Sequence, residues 1–233
     1  MEQFQATISI PQVDLQDLQS DGAHLYVFRR VLSADTAGRP VLWSDVAYSE
    51  TTTVQWSDGL QAYTSAGPIV GGDQVHPGFA VTVAPGQLLT VDGTGCGQVT
   101  ANGHPGVVSI LNESTRQFDC GLSAALGSGP VPFCVGPLGG SDLQILQPAP
   151  TILLLFSTRI VEPGTVITDF YDGIAQTAYS PAVLIDFATG NRRALAYACA
   201  QGWSWGKYTW ARQVAAGTDL VPLLVVRPTS SGL

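Results

Sequence analysis

Three of the chain's five tryptophans, a tyrosine and its single lysine fall within nine residues, Gly202 to Trp210, reading GWSWGKYTW. Flat aromatic surface beside a charge suits the apolar face of a sugar ring, a hydrophobic small molecule or a lipid headgroup. Read as one strand, the segment sends Trp203, Trp205, Lys207 and Thr209 to one face and Ser204, Tyr208 and Trp210 to the other. One face then belongs to the core, and the second offers rings to a ligand. Gly202 and Gly206 weaken such a strand and mark a bulge that re-aims the rings. The candidate ligand-binding residues are Trp203, Trp205, Lys207, Tyr208 and Trp210, with core filling as the competing use of the same side chains.

Acid–base candidates are fewer. Asp186 stands in the apolar run Val183 to Phe187, where a carboxylate is costly to bury unless it is paired. It therefore faces outward, meets Arg193 across a hairpin, or acts as a general acid or base. His76 and His104 each precede a Pro-Gly pair, which either sets two imidazoles on similar turns as a paired site or is coincidence in a Pro- and Gly-rich chain, the plainer reading. Asp169 and Asp172 form a carboxylate pair for glycoside hydrolysis or a weak Ca2+ site, against solvated turn aspartates as the plainer reading. No nucleophile elbow, P-loop, dinucleotide fingerprint, HExxH or EF-hand pattern is present. Cys96, Cys120, Cys134 and Cys199 lack CxxC spacing and a neighbouring histidine, which predicts no metal site and no cofactor. They read as free, mostly buried thiols, with a disulfide among Cys96, Cys120 and Cys134 as the alternative.

The elements that must position these groups follow from composition. Charged residues make up 12% of 233 residues, about half the usual share, so Ser, Thr, Gln, Asn and Gly must build much of the surface. That disfavours long solvent-facing helices and favours strands joined by the turns that 26 glycines and 15 prolines supply. A net charge of -8 excludes nucleic acid as a partner, since phosphate binding needs clustered Lys and Arg. The apolar runs are too short to cross a membrane, and no basic or apolar leader follows Met1, which predicts a cytoplasmic chain. Were a leader removed, the Asn112-Glu113-Ser114 sequon would become a glycan site.

Along the chain, period-2 patterns predict strands at Phe4 to Ile10, His24 to Leu32 with Val41 to Ala47 as its hairpin partner, and Thr51 to Trp56. Shorter ones are expected at Phe79 to Val83, Gln87 to Val91, Gly97 to Thr100 and Gly106 to Leu111. Asp14 to Gln19 reads as a helical turn or a loop. Residues 119–140 change to Gly, Ser, Ala and Pro and read as a long loop. Thr151 to Thr158 is apolar on both faces and reads as a central strand, with Thr165 to Phe170 beside it. Ala182 to Phe187, Arg193 to Ala200 and Leu220 to Val226 complete the set.

Turns every 8 to 12 residues or so predict one all-β domain over residues 1–233, a two-sheet antiparallel Greek-key β-sandwich or a related barrel. The acidic, leaderless, Thr- and Gly-rich composition is similar to that of β-sandwich lectins and related defence proteins, which implies a glycan or small molecule as partner. Three functions follow: a lectin-like carbohydrate-binding protein using the aromatic platform, an enzyme acting on a hydrophobic small molecule in an enclosed pocket, or a self-assembling or membrane-active defence protein. An oligomer is compatible with each.

Overall fold

Alternation does what the pattern predicts at Thr51–Ser57, where Thr52, Val54 and Trp56 are buried while Thr51, Thr53 and Gln55 are exposed. A computed structural model of the protein describes residues 2–35, 37–127, 129–167 and 181–227. In chain order these form β1 (Gln3–Ser9), α1 (Gln12–Ser20), β2 (His24–Ser33), β3 (Arg39–Pro40), β4 (Ser44–Val46) and β5 (Thr51–Ser57). Then come β6 (Leu60–Ser65), β7 (Phe79–Val83), β8 (Leu88–Val91), β9 (Gly97–Thr100), β10 (Val108–Asn112), β11 (Phe118–Ala125), β12 (Pro130–Leu138) and β13 (Leu143–Ser157). The described part closes with β14 (Ala182–Asp186), β15 (Arg192–Ala198), β16 (Gly202–Ser204), β17 (Ala211–Val214), α2 (Val221–Leu224) and β18 (Val225–Val226).

The fold is all-β and sandwich-like, about 52% strand against 6% helix, with no closed barrel among the described residues. Its strands lie in three sheets. One runs β16-β15-β1-β5 and another β3-β12-β11-β6-β7. The largest follows β17-β14-β13-β10-β8-β9, with β2 also paired to β13 and carrying β4 and β18. Three pairs are parallel, β1 with β15, β8 with β10 and β2 with β18, and the other pairs between strands are antiparallel.

β2, β13 and β14 sit at the centre because both their faces are covered. On one face Leu25, Val27, Ile152, Leu154, Val183 and Ile185 join the main core with Ile8, Trp43, Trp56 and Phe133. On the other, Tyr26, Phe28, Leu153 and Leu184 pack with Leu220, Leu223 and Leu224 around α2. The continuous apolar run at Thr151–Ser157 reflects this double burial, as expected of a central strand.

Four expectations need correction. Residues 119–140 are a buried hairpin, β11 with β12, and no long loop. Leu220–Val226 is mostly helical, because Pro222 stands in the first turn, where a missing N–H costs nothing. β14 and β15 do not form a hairpin, since the turn at 188–191 carries the chain from the largest sheet into the four-stranded one. The proposed strand at Thr165 to Phe170 yields only single bridges, Val41 with Val166 and Gln74 with Thr165, and residues 168–170 lie outside the described residues.

One core position is chemically expensive. Arg29 on β2 is 3% exposed, and its Nε and Nη1 meet no acceptor among the described residues. Its guanidinium lies 5.0 Å from the Phe133 ring centre and 5.5 Å from that of Trp43. Burial pulls its pKa down to about 10, with Cys134 and Asp58 opposing. Cation–π contacts return about 1–2 kcal/mol, less than desolvation of an unpaired charge costs. Arg29→Met is therefore expected to raise stability by about 1–2 kcal/mol in urea denaturation at neutral pH. Because the folded pKa is depressed, the penalty is full below pH 10 and shrinks as pH rises from there toward the unfolded value of 12.5, so the gain over the parent narrows in that window.

Candidate functional site

The aromatic segment is not one strand. β16 ends at Ser204, and Gly206, at φ 72°, bends the chain into a turn closed by the Trp205 Nε1–H donating to the Tyr208 carbonyl at 2.9 Å. The turn breaks the alternation expected along Trp203, Trp205 and Lys207. Trp203 belongs to the core, 3% exposed, with Phe156 stacked at 5.6 Å and Tyr197 edge-on at 4.9 Å, so it offers no face to a ligand. Trp205 and Trp210 are half-buried against the same core. Tyr208 and Lys207 are exposed on the turn.

Tyr208, 68% exposed, is nevertheless held in place. Its ring stacks on Trp210 at 6.0 Å and 25°, and the Arg193 guanidinium lies 5.2 Å from the Trp210 ring centre and 5.8 Å from that of Phe187. Arg193 is itself fixed, Nε donating to the Asp186 carbonyl and Nη2 to Thr189 Oγ1, both at 3.0 Å. Although β14 and β15 lie in different sheets, this is how Arg193 meets Asp186: through the backbone oxygen, not the carboxylate. The Asp186 carboxylate is exposed and caps its own turn, Oδ1 accepting the Ala188 N–H at 2.8 Å. Its backbone N–H donates to the Trp210 carbonyl at 2.7 Å, which ties the turn after β14 to the start of β17.

Beside Trp210 lies a small cleft of about 150 Å3, also lined by Arg30, Thr151, Asp186 and Arg212. Larger hollows lie elsewhere. One of about 530 Å3 runs between Gly71–Gln74 and Arg159–Ile167, flanked by Ile160 at 79% exposure. Another, of about 480 Å3, contains His24 and Asp45. There His24 Nδ1 is 2.7 Å from Asp45 Oδ2, and the imidazole stacks on Tyr26 at 5.7 Å. The sequence had shown the strand and its partner but not this pair. Antiparallel register sets Tyr26 opposite Asp45, which leaves His24 diagonal to it.

The histidine candidates stand on separate loops. His76 leads into β7 and His104 lies between β9 and β10, both exposed, on loops that join strands of two different sheets, β6 to β7 in one and β9 to β10 in the other. Asp169 and Asp172 lie outside the described residues. Among the described residues no three His, Cys, Asp or Glu side chains gather as metal ligands. All four cysteines are free: Cys96 exposed, Cys199 half-buried, Cys120 and Cys134 buried. Burial raises the Cys134 thiol to about 12; burial and the nearby Asp14 raise that of Cys199 to about 11, so neither is a ready nucleophile. Asn112 of the sequon is buried, its Nδ2 donating to the Arg116 and Gly139 carbonyls at 2.6 and 2.9 Å, so in the folded chain it is a loop brace and no glycan acceptor. No described helix is long and apolar enough to cross a membrane.

No protein-family model matches the chain, and neither a curated protein nor a solved structure shows detectable similarity to it.

Proposed function

We propose that the protein binds a carbohydrate on the face formed by Tyr208 and Trp210, with Lys207 and the cleft beside Trp210 supplying polar contacts. The observation that carries this reading is an aromatic ring that is 68% exposed and yet fixed by stacking and by a closed turn. Immobilising a side chain on binding costs about 0.5–1.5 kcal/mol, and a ring already held in place avoids most of it. A pyranose presents C–H groups on one face, which suits the electron-rich face of Tyr208. Trp205 contributes by closing the turn, and Trp203 by anchoring β16.

The test separates binding from folding. Tyr208→Ala is expected to weaken sugar binding more than tenfold in tryptophan-fluorescence titrations while shifting unfolding free energy by no more than about 0.5 kcal/mol. A parallel loss of binding and stability would contradict the assignment.

A second reading, an enzyme acting on a small molecule, draws on the His24–Asp45 pair in its 480 Å3 hollow. A carboxylate on Nδ1 orients an imidazole for general-base work at Nε2. It ranks second because a half-exposed His–Asp pair serves equally well as a surface ion pair that clamps β4 to β2.

A further inference from the structure

We infer that the ligand carries an oxyanion, a carboxylate or sulfate group, and that the cleft between Arg30 and Arg212 receives it; this rests on the Tyr208–Trp210 reading and adds the ligand's charge to it. The placement follows from strand register. Thr151 pairs with Asp186 and Leu184 with Arg212 across β13, β14 and β17, while Arg30 follows Arg29, the partner of Ile152, on β2. On the outer face of the sheet, Phe28, Leu153 and Leu184 lie in the apolar layer around α2. One step further along the same face the row becomes polar, Arg30, Thr151 and Asp186, and it ends at Trp210.

Charge is unevenly spread here. In a chain of net charge -8 with ten basic residues, two arginines, Arg30 and Arg212, line the cleft with one carboxylate among the described residues, Asp186, and a third, Arg193, donates to the Asp186 backbone carbonyl. Arg193 is occupied by Trp210, Thr189 and the Asp186 carbonyl, whereas Arg30 is half-buried with an Nε that is shielded from solvent and meets no acceptor among the described residues. Burial lowers the Arg30 pKa and the Arg212 charge lowers it further, with Asp186 opposing. Two guanidinium groups that repel each other across one cleft form a site whose charge an oxyanion offsets, accepting charge-assisted hydrogen bonds from the guanidinium nitrogens that face the opening. About 150 Å3 is room for the anionic group and its nearest carbons, not for a whole sugar, so the rest of the ligand must lie outside, against Trp210 and Tyr208.

The experiment uses three probes on the intact chain, read by tryptophan fluorescence at constant ionic strength: methyl β-D-glucuronide, methyl β-D-glucoside and inorganic sulfate. The glucuronide is expected to bind about tenfold more tightly than the glucoside, and sulfate to compete with it. Arg212→Gln and Arg30→Gln should reduce that preference to within about twofold; Arg212 is exposed, so its variant is expected to fold even if that of Arg30 does not. Equal binding of the two glycosides, or a preference that survives Arg212→Gln, overturns the inference while leaving the aromatic platform standing. Sulfate binding that depends on Arg212 without binding of either glycoside shows an oxyanion site with no sugar platform, so the Tyr208–Trp210 reading fails and the cleft takes a free anion. No response to any probe refutes both.

Discussion

The Trp203→Ala variant is expected to unfold about 3–5 kcal/mol more easily than the parent, the usual cost of truncating a large buried aromatic. Trp203 packs against both Phe156 and Tyr197, which also touch each other, and its carbonyl accepts the Gln213 side-chain amide at 3.3 Å. Removing the indole leaves a cavity against them and loosens the edge where β16 leads into the Tyr208 turn. Urea denaturation gives the measure: a fall in midpoint at unchanged slope. A loss below about 1 kcal/mol would mean that Trp203 is not packed as described. The comparison with Tyr208→Ala matters most, because the two residues lie five apart in one aromatic cluster and are assigned opposite work.

Gly121→Ala is the second large effect. On β11, between Tyr63 of β6 and Val135 of β12, a Cβ at Gly121 would lie 2.0 Å from the Cys134 carbonyl oxygen and 2.7 Å from Tyr63 Oη. Neither neighbour yields easily. The carbonyl is backbone, and Tyr63 Oη is fixed by its 2.7 Å hydrogen bond to that same oxygen. Opening the strand pair enough to admit a methyl should cost about 3 kcal/mol or more, above ordinary overpacking. At Gly129, near the tip of the same hairpin, an added Cβ would meet no described atom within 4 Å, so Gly129→Ala serves as a neutral control. Equal stability of the two variants would contradict the tight packing of β6, β11 and β12.

The same glycine explains the main misreading of the sequence. Composition rich in Gly, Pro and Ser signals a loop when small residues serve turns, and at 119–140 they serve instead to bring buried strands together. What was legible was local. Alternation placed Thr51–Ser57, and two-sided hydrophobicity placed Thr151–Ser157 at the centre of a sheet. What was not legible was sheet membership, since nothing in the turn at 188–191 tells a hairpin from a crossing between sheets. The glycines at 202 and 206 read as a bulge inside one strand, whereas Gly202 opens β16 and Gly206 lies in a turn after it has ended, and which ring that turn frees depends on the indole bond that closes it. The His24–Asp45 pair follows from the register of β4 on β2, the three residues of the expected partner Val41 to Ala47 that do pair with it.

The reading of Tyr208 and Trp210 as a ligand face is tested most directly by a glycan array probed in parallel with the intact protein and with its Tyr208→Ala variant. The expected result is binding to a restricted set of sugars, richest in those bearing a carboxylate or sulfate, and its loss in the variant. A blank array, or hits that Tyr208→Ala retains in full, would contradict the account and shift attention to the His24–Asp45 hollow.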